Sequence, residues 1–273
     1  MGEALVKRVT LAREVSLSGN TIRRRDHRAT ITLRPGSEGF VFVRSDSGAR
    51  YPARLEQVID VPNCSALGDP GRGRRRGRVQ VFVIEHVLSA LAGLGYTDAE
   101  LVVDGDEVPL LDGSSLPFVE ALQAAGRVEL EEDIQPLVPT EPIWHARERG
   151  SIVALPAEAF SVEYSLDHRD PRIGREHARL EPGFDYAREL APARTFATAT
   201  EIAYLQRRRL IRGGSEDNLV VVHADRYSAP LRMEREFARH KCLDIVGDLA
   251  LTGRPIVARI VAWRTGHADN RAL

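Results

Sequence analysis

Cysteine is nearly absent: the 273 residues include only Cys64 and Cys242. Two thiols support no disulfide framework and cannot build a thiolate-rich zinc site, and they fit a reducing cytoplasm. An excess of charge is also missing. Thirty-eight Lys and Arg face 39 Asp and Glu, so no strong net field draws the chain to nucleic acid or to a membrane. No apolar run is long. The longest, VFVIEHVLSALAGLGY, is interrupted by Glu85 and His86 and is too short to span a bilayer. The opening residues, MGEALVKRVTLAREVSLSG, contain no apolar h-region, and Val6 stands where a myristoylation signal carries Ser or Thr. The expectation is a cytoplasmic protein with no nucleic-acid partner and no stable membrane anchor.

What is present is the mix of a soluble globular protein, 43% apolar and 28% charged, with length for one large domain or two ordinary ones. Residues 29–44 read as two short strands around a Pro-Gly turn. The basic run RGRRRGR at 72–78 could contact nucleic acid, but a run this short in a chain of balanced charge is more often a solvated hairpin loop. In 83–96, Ile84, Val87, Leu88, Leu91 and Leu94 fall on one helical stripe. A strand, AELVVDG, and a turn, VPLLDGSS, follow. Ser115-Leu116-Pro117 opens a second helix that Gly126 ends. Residues 128–142, charged and carrying three prolines, read as a linker or a strand pair. The second half is patterned like the first. Strands are expected at 151–155 and 160–166, a helix over 197–208 and a strand near 218–223. A helix stopped by Gly253 and Pro255 follows, then the strand IVARIVAW and a turn, RTGHADN. Strands with two helices in each half suggest an α+β protein of two similar layers.

Four places carry chemistry. On a helical wheel of EFARHKCLDIVGDLALTG, Cys242, Leu243, Ile245, Val246, Leu249 and Ala250 cover one side, and His240, Lys241, Asp244 and Asp248 the other. A solvated face is the ordinary reading of such a polar side. However, imidazole and carboxylate one turn apart are a proper ligand pair for one ion, and the face lacks the alternating Glu/Lys of a solubilising surface. His86 shares its side of the first helix with Ala90 and Gly93, small residues that let another element pack close. A lone His there is more often satisfied structurally than metal-bound, but a His preceded by Glu can supply both a metal ligand and a neighbouring carboxylate, a logic similar to that of the HExxH zincins at a different spacing. His267, beside Gly266 past a strand, is placed to project into a cleft, and an ordinary loop histidine is the equal alternative. Arg194-Thr195-Phe196 reads by default as an ordinary loop or helix start. Two His, one Asp, a base and an acid would make a mononuclear zinc hydrolase, although spacing alone cannot bring residue 86 to residue 240.

These segments, with EIAYLQRRRLIRGGSEDNLVVV and the DGSS turn, resemble the UDP-3-O-acyl-N-acetylglucosamine deacetylases over residues 8 to 271. The order EH, DGSS, HKxxDxxxD, GHxxN is specific where each piece alone is weak. The resemblance implies an α+β fold of two similar domains, 1–127 and 128–273. Each is a β-sheet with two helices, and the helices of the two pack together as a β-α-α-β sandwich with the site at their junction. It implies Zn²⁺ held by His86, His240 and Asp244, Glu85 as general base, and Thr195 stabilising the oxyanion together with the ion. His267 is the implied acid toward the leaving amine, oriented by Asp248. Lys241 is implied to meet the anionic part of the substrate and Phe196 to pack on its sugar. The implied reaction is hydrolysis of the N-acetyl group of UDP-3-O-(3-hydroxyacyl)-N-acetylglucosamine in lipid A biosynthesis, by a monomer with an apolar passage for the acyl chain. The chain departs from the family in three places. Val15-Ser16-Leu17-Ser18-Gly19 lacks the His of a GxGLHSG-like stretch and is followed by an insertion. Asp269 replaces the leucine of GHALN, and the chain ends six residues after His267. A deacetylase of another acylated amino sugar and a non-catalytic relative of the fold are the alternatives.

Overall fold

A computed structural model describes residues 5–23, 27–71 and 77–273; the basic run lies outside the described residues apart from Gly77 and Arg78. The first half runs β1 (Val6–Leu11), β2 (Val15–Asn20), β3 (Arg28–Arg34), β4 (Phe40–Arg44), β5 (Arg50–Pro52), β6 (Ala66–Asp69), β7 (Arg78–Phe82), α1 (Glu85–Gly93), β8 (Ala99–Val103), α2 (Leu116–Ala125) and β9 (Arg127–Ile134). Strands β2, β3, β8, β4 and β5 form one sheet in that order. Period-two alternation turns Ala29, Ile31 and Leu33 of β3 inward. The two strands expected in 29–44 both form, but they are not partners. The apolar β8 inserts between them, antiparallel to β3 and parallel to β4, because its Ala99, Leu101 and Val103 need the most buried place. The 128–142 stretch contributes β9, which returns to pair antiparallel with β1.

The second half runs β10 (Ile143–Arg147), β11 (Gly150–Pro156), β12 (Ser161–Asp167), β13 (Arg175–Leu180), α3 (Tyr186–Glu189), β14 (Phe196–Thr198), α4 (Ala199–Arg207), β15 (Val220–Val222), α5 (Glu236–Leu249), β16 (Ala258–Trp263) and α6 (His267–Ala272). Its five-stranded sheet has the order β10-β11-β16-β12-β13. Helix α4 starts on a capping box in which Thr198 and Glu201 satisfy each other's backbone N–H groups. The turn expected at RTGHADN is a short helix, α6, with Asp269 accepting from the Gly266 N–H at its start. Six residues are too few to show helical periodicity in sequence.

The halves meet along α1 and α5. Gly247 lies so close to α1 that a Cβ there would sit 2.1 Å from the Glu85 carbonyl oxygen, and one at Gly93 would sit 2.2 Å from the Tyr186 ring. Ser89 Oγ donates to the Leu243 carbonyl at 2.8 Å. Helix α5 therefore lies between α1 and the second sheet, with twelve of its fourteen residues buried. Its polar side is not a solvated face, because the other half of the molecule covers it. The result is an α+β sandwich with α1 and α5 packed between the two five-stranded sheets, while α4, with no buried residue, stays at the surface.

Candidate metal centre and active site

Helix α1 begins at Glu85, so Glu85 and His86 occupy its first turn, and α5 presents His240, Asp244 and Asp248 on successive turns. His86 Nε2 lies 3.9 Å and His240 Nε2 3.4 Å from Asp244 Oδ1, and the two imidazole rings stand at 90° with centroids 5.1 Å apart. One donor atom from each of the three falls within 4.8 Å of the others. All three residues are buried, and Asp244 Oδ1 has no hydrogen-bond partner among the described residues. An orphaned carboxylate oxygen facing two imidazoles is a costly arrangement unless a cation completes it. The donor set therefore fits a metal ion.

The surroundings prepare these ligands. The Ala193 carbonyl lies 3.1 Å from His240 Nδ1; that nitrogen donates, leaving the Nε2 lone pair toward Asp244. Burial pushes His86 down to about 3, with His240 adding to the effect, and burial also lowers His240, so both imidazoles are neutral. Burial alone would raise Asp244, but the charge of Lys241, with that of His267 behind it, holds it well below the usual carboxylate range. Lys241 Nζ donates to Asp244 Oδ2 at 2.7 Å, which occupies one carboxylate oxygen and leaves Oδ1 for the centre. Cys64 lies in the same cavity, but burial pushes its thiol up to about 12, so it stays protonated and is a poor ligand.

Glu85 and His267 flank the triad. His267 Nε2 is 3.9 Å from Glu85 Oε1, and its Nδ1 donates to Asp248 Oδ2 at 2.9 Å. Burial lifts Glu85 to about 7 while the charge of His267 pulls against it. Burial lowers His267, but Asp248, Asp244 and Glu85 outweigh it and lift the imidazole to about 9. Near neutral pH this pair can hold one proton acceptor and one proton donor side by side.

A cavity of about 660 Å³ collects Glu85, His86, Thr195, Phe196, His240, Lys241, Asp244 and His267, while Asp248 sits behind His267 at 1% exposure. All nine residues picked from sequence thus converge. The Phe196 ring packs 4.5 Å from that of Phe237 and lies 5.7 Å from Lys241 Nζ. The Thr195 N–H donates to the Gly113 carbonyl at 2.7 Å, and its carbonyl accepts from Val220. Gly113 has φ +83°, and a Cβ there would sit 2.4 Å from the Asn218 carbonyl oxygen, so the DGSS turn needs glycine to reach this strand. Asp112 shapes the same turn by accepting from the N–H and hydroxyl of Ser114, and Ser115 Oγ donates to the His86 carbonyl.

Sequence reasoning missed three supports. The fully buried Glu236 accepts from Arg194 Nε at 2.8 Å and from the Arg194 N–H at 3.1 Å, so the tripeptide read as an ordinary loop is anchored to the start of α5. Asn270 Nδ2 donates to Asp248 Oδ2 at 2.8 Å; its place three residues after His267 was the available signal. Ser65 contacts both Glu85 and Asp248, and nothing in its local sequence announces it.

The profile of the UDP-3-O-acyl N-acetylglycosamine deacetylase family matches residues 8–273. A UDP-3-O-acyl-N-acetylglucosamine deacetylase of Anaeromyxobacter dehalogenans is 39% identical over 270 residues, covering 97% of this chain and 85% of that protein. Proteins of the same name from Leptospira biflexa and Myxococcus xanthus are each 36% identical, covering 99% and 97% of this chain and 89% and 84% of their own lengths.

Proposed function

The chain belongs to the UDP-3-O-acyl N-acetylglycosamine deacetylase family, and from that premise we propose that it hydrolyses the N-acetyl group of UDP-3-O-(3-hydroxyacyl)-N-acetylglucosamine with Zn²⁺ as its metal. The observation that carries the proposal is the convergence of His86, His240 and Asp244, from distant segments, in one cavity with Glu85 and His267. Two neutral imidazoles and one carboxylate suit zinc, which when bound supplies Lewis-acid polarisation of the acetamide carbonyl.

The chain's own residues do the rest. Glu85, buried and lifted to about 7, takes the proton of the attacking water. His267, held protonated by Asp248, gives a proton to the departing amine. Thr195, pinned through its backbone, stands beside the developing oxyanion. Phe196 packs on the sugar, and Lys241, one quarter exposed beside Asp244, meets the anionic part of the substrate. Ile22, Val61, Ile202, Leu205 and Ile211 line the same cavity and offer the acyl chain an apolar wall. Acetate and the free amino sugar leave.

The division into an N-terminal unit, 1–127, and a C-terminal unit, 128–273, belongs to this reading, although the boundary falls inside β9, whose partner is β1 of the first half. So does action as a cytoplasmic monomer, in keeping with two unpaired cysteines. Among the described residues no helix is long and apolar enough to cross a membrane. The deciding experiment pairs a metal assay with acetate release. One zinc per chain with turnover of the UDP-linked substrate supports the proposal. Zinc with acetate released only from other sugars assigns a different substrate, and a metal-free chain without turnover removes the enzyme.

A further inference from the structure

Ser65 is fully buried immediately before β6. Its backbone grips the start of α1: its carbonyl accepts from the Ile84 N–H at 3.3 Å and its N–H donates to Glu85 Oε2 at 3.0 Å. Its hydroxyl lies between a cation and an anion. Arg271 Nη1 donates to Ser65 Oγ at 2.7 Å, and Ser65 Oγ is hydrogen-bonded to Asp248 Oδ1. A guanidinium only donates and an ionised carboxylate only accepts, so the single hydroxyl proton has one direction, from Ser65 to Asp248. Arg271 is itself held by Asp60 at 3.1 Å, with its side chain 6% exposed.

Three hydrogen bonds and one looser approach, the 3.9 Å between His267 Nε2 and Glu85 Oε1, make a ring of four residues. Glu85 presents Oε2 to Ser65 and Oε1 to His267, while Asp248 presents Oδ1 to Ser65 and Oδ2 to His267. Ser65 and His267 are opposite corners, and the two carboxylates are the other two. We propose that Ser65 is a positioning residue that sets the base and the acid of the deacetylation in register. Its N–H fixes the Glu85 carboxylate, and its hydroxyl, polarised by Arg271, fixes Asp248 and through it the His267 ring. The proposal rests on the deacetylase reading. It matters because Glu85 and His267 come from different halves of the chain yet must address one substrate, and small errors in such alignment are costly in rate.

Ser65→Ala deletes the hydroxyl and keeps the N–H. With intact metal content and unchanged KM, kcat should fall by roughly 10–100-fold, the usual effect of removing a group that orients an active-site side chain. Ser65→Thr, which keeps a hydroxyl, should recover most of that loss. In an Asp248→Ala background, Ser65→Ala should cost almost nothing further, because the hydroxyl then has no carboxylate to hold. A Ser65→Ala kcat within twofold of wild type overturns the proposal, as does an undiminished loss in the Asp248→Ala background. Should Ser65→Thr not fold, the double-mutant comparison decides. If the wild type releases no acetate, the functional reading fails, and a crystal structure of Ser65→Ala judges the positioning claim by itself. A His267 ring displaced from Asp248 supports the claim, and an unmoved pair refutes it.

Discussion

Gly247→Ala adds one methyl group where the two halves of the site are pressed together. The new Cβ would lie 2.1 Å from the Glu85 carbonyl oxygen and 2.9 Å from its carbon, about 1.3 Å short of ordinary contact. Both neighbours are helix backbone, so no flexible side chain can swing away. Helices α1 and α5 must separate or slide. Overpacking of this kind costs about 1–3 kcal/mol, which for a chain of this length lowers the melting midpoint by roughly 2–10 °C. The catalytic cost should be larger. Glu85 and His86 ride on α1 while His240, Asp244 and Asp248 ride on α5, so a shift near 1 Å opens the ligand triad and the Glu85–His267 pair together. A displacement of that size is worth about 10²-fold in rate. Thermal unfolding, metal stoichiometry and acetate release on the same preparation measure all three effects. A Gly247→Ala protein with wild-type melting, full metal and wild-type kcat would refute the claim that this contact sets the geometry.

Glu85→Gln keeps shape and removes the proton acceptor, so kcat should fall ~10²–10⁴-fold with metal retained; comparable activity would remove Glu85 as base. His267→Ala should lose rate in the same range without losing metal, and a normal rate would remove it as acid. The pH–rate profile should be a bell. Activity requires Glu85 ionised and His267 protonated, so it rises with pH through a limb at or below about 7 and falls through one at or below about 9, because a bound cation lowers both groups. A flat profile from pH 5 to pH 10 would contradict that assignment. His240→Ala should lower metal occupancy sharply, and unchanged content in an elemental assay would remove it from the ligand set.

Much of the site was legible because it is written in local spacing. His240 and Asp244 stand one helical turn apart, Glu85 directly precedes His86, and Ala90 and Gly93 announced a close neighbour along α1. The resemblance to a family then joined pieces that spacing alone could not. What escaped depends on tertiary placement. The polar side of α5 resembles a solvated face until the other half of the molecule covers it. The insertion of β8 between β3 and β4 follows from the competition among strands for the buried centre of a sheet. Ser65 and Asp248 are 183 residues apart, and neither's neighbours hint at the other. Arg194 resembles any loop arginine until Glu236 is found buried beneath it.

The central claim is that imidazoles from α1 and α5 and the Asp244 carboxylate share one metal ion. Anomalous diffraction at the zinc edge, from crystals of zinc-loaded protein, tests it most directly. The account predicts one peak per chain within coordinating distance of His86, His240 and Asp244. Well-ordered density for all three side chains with no peak among them, or with the zinc bound elsewhere, would contradict it.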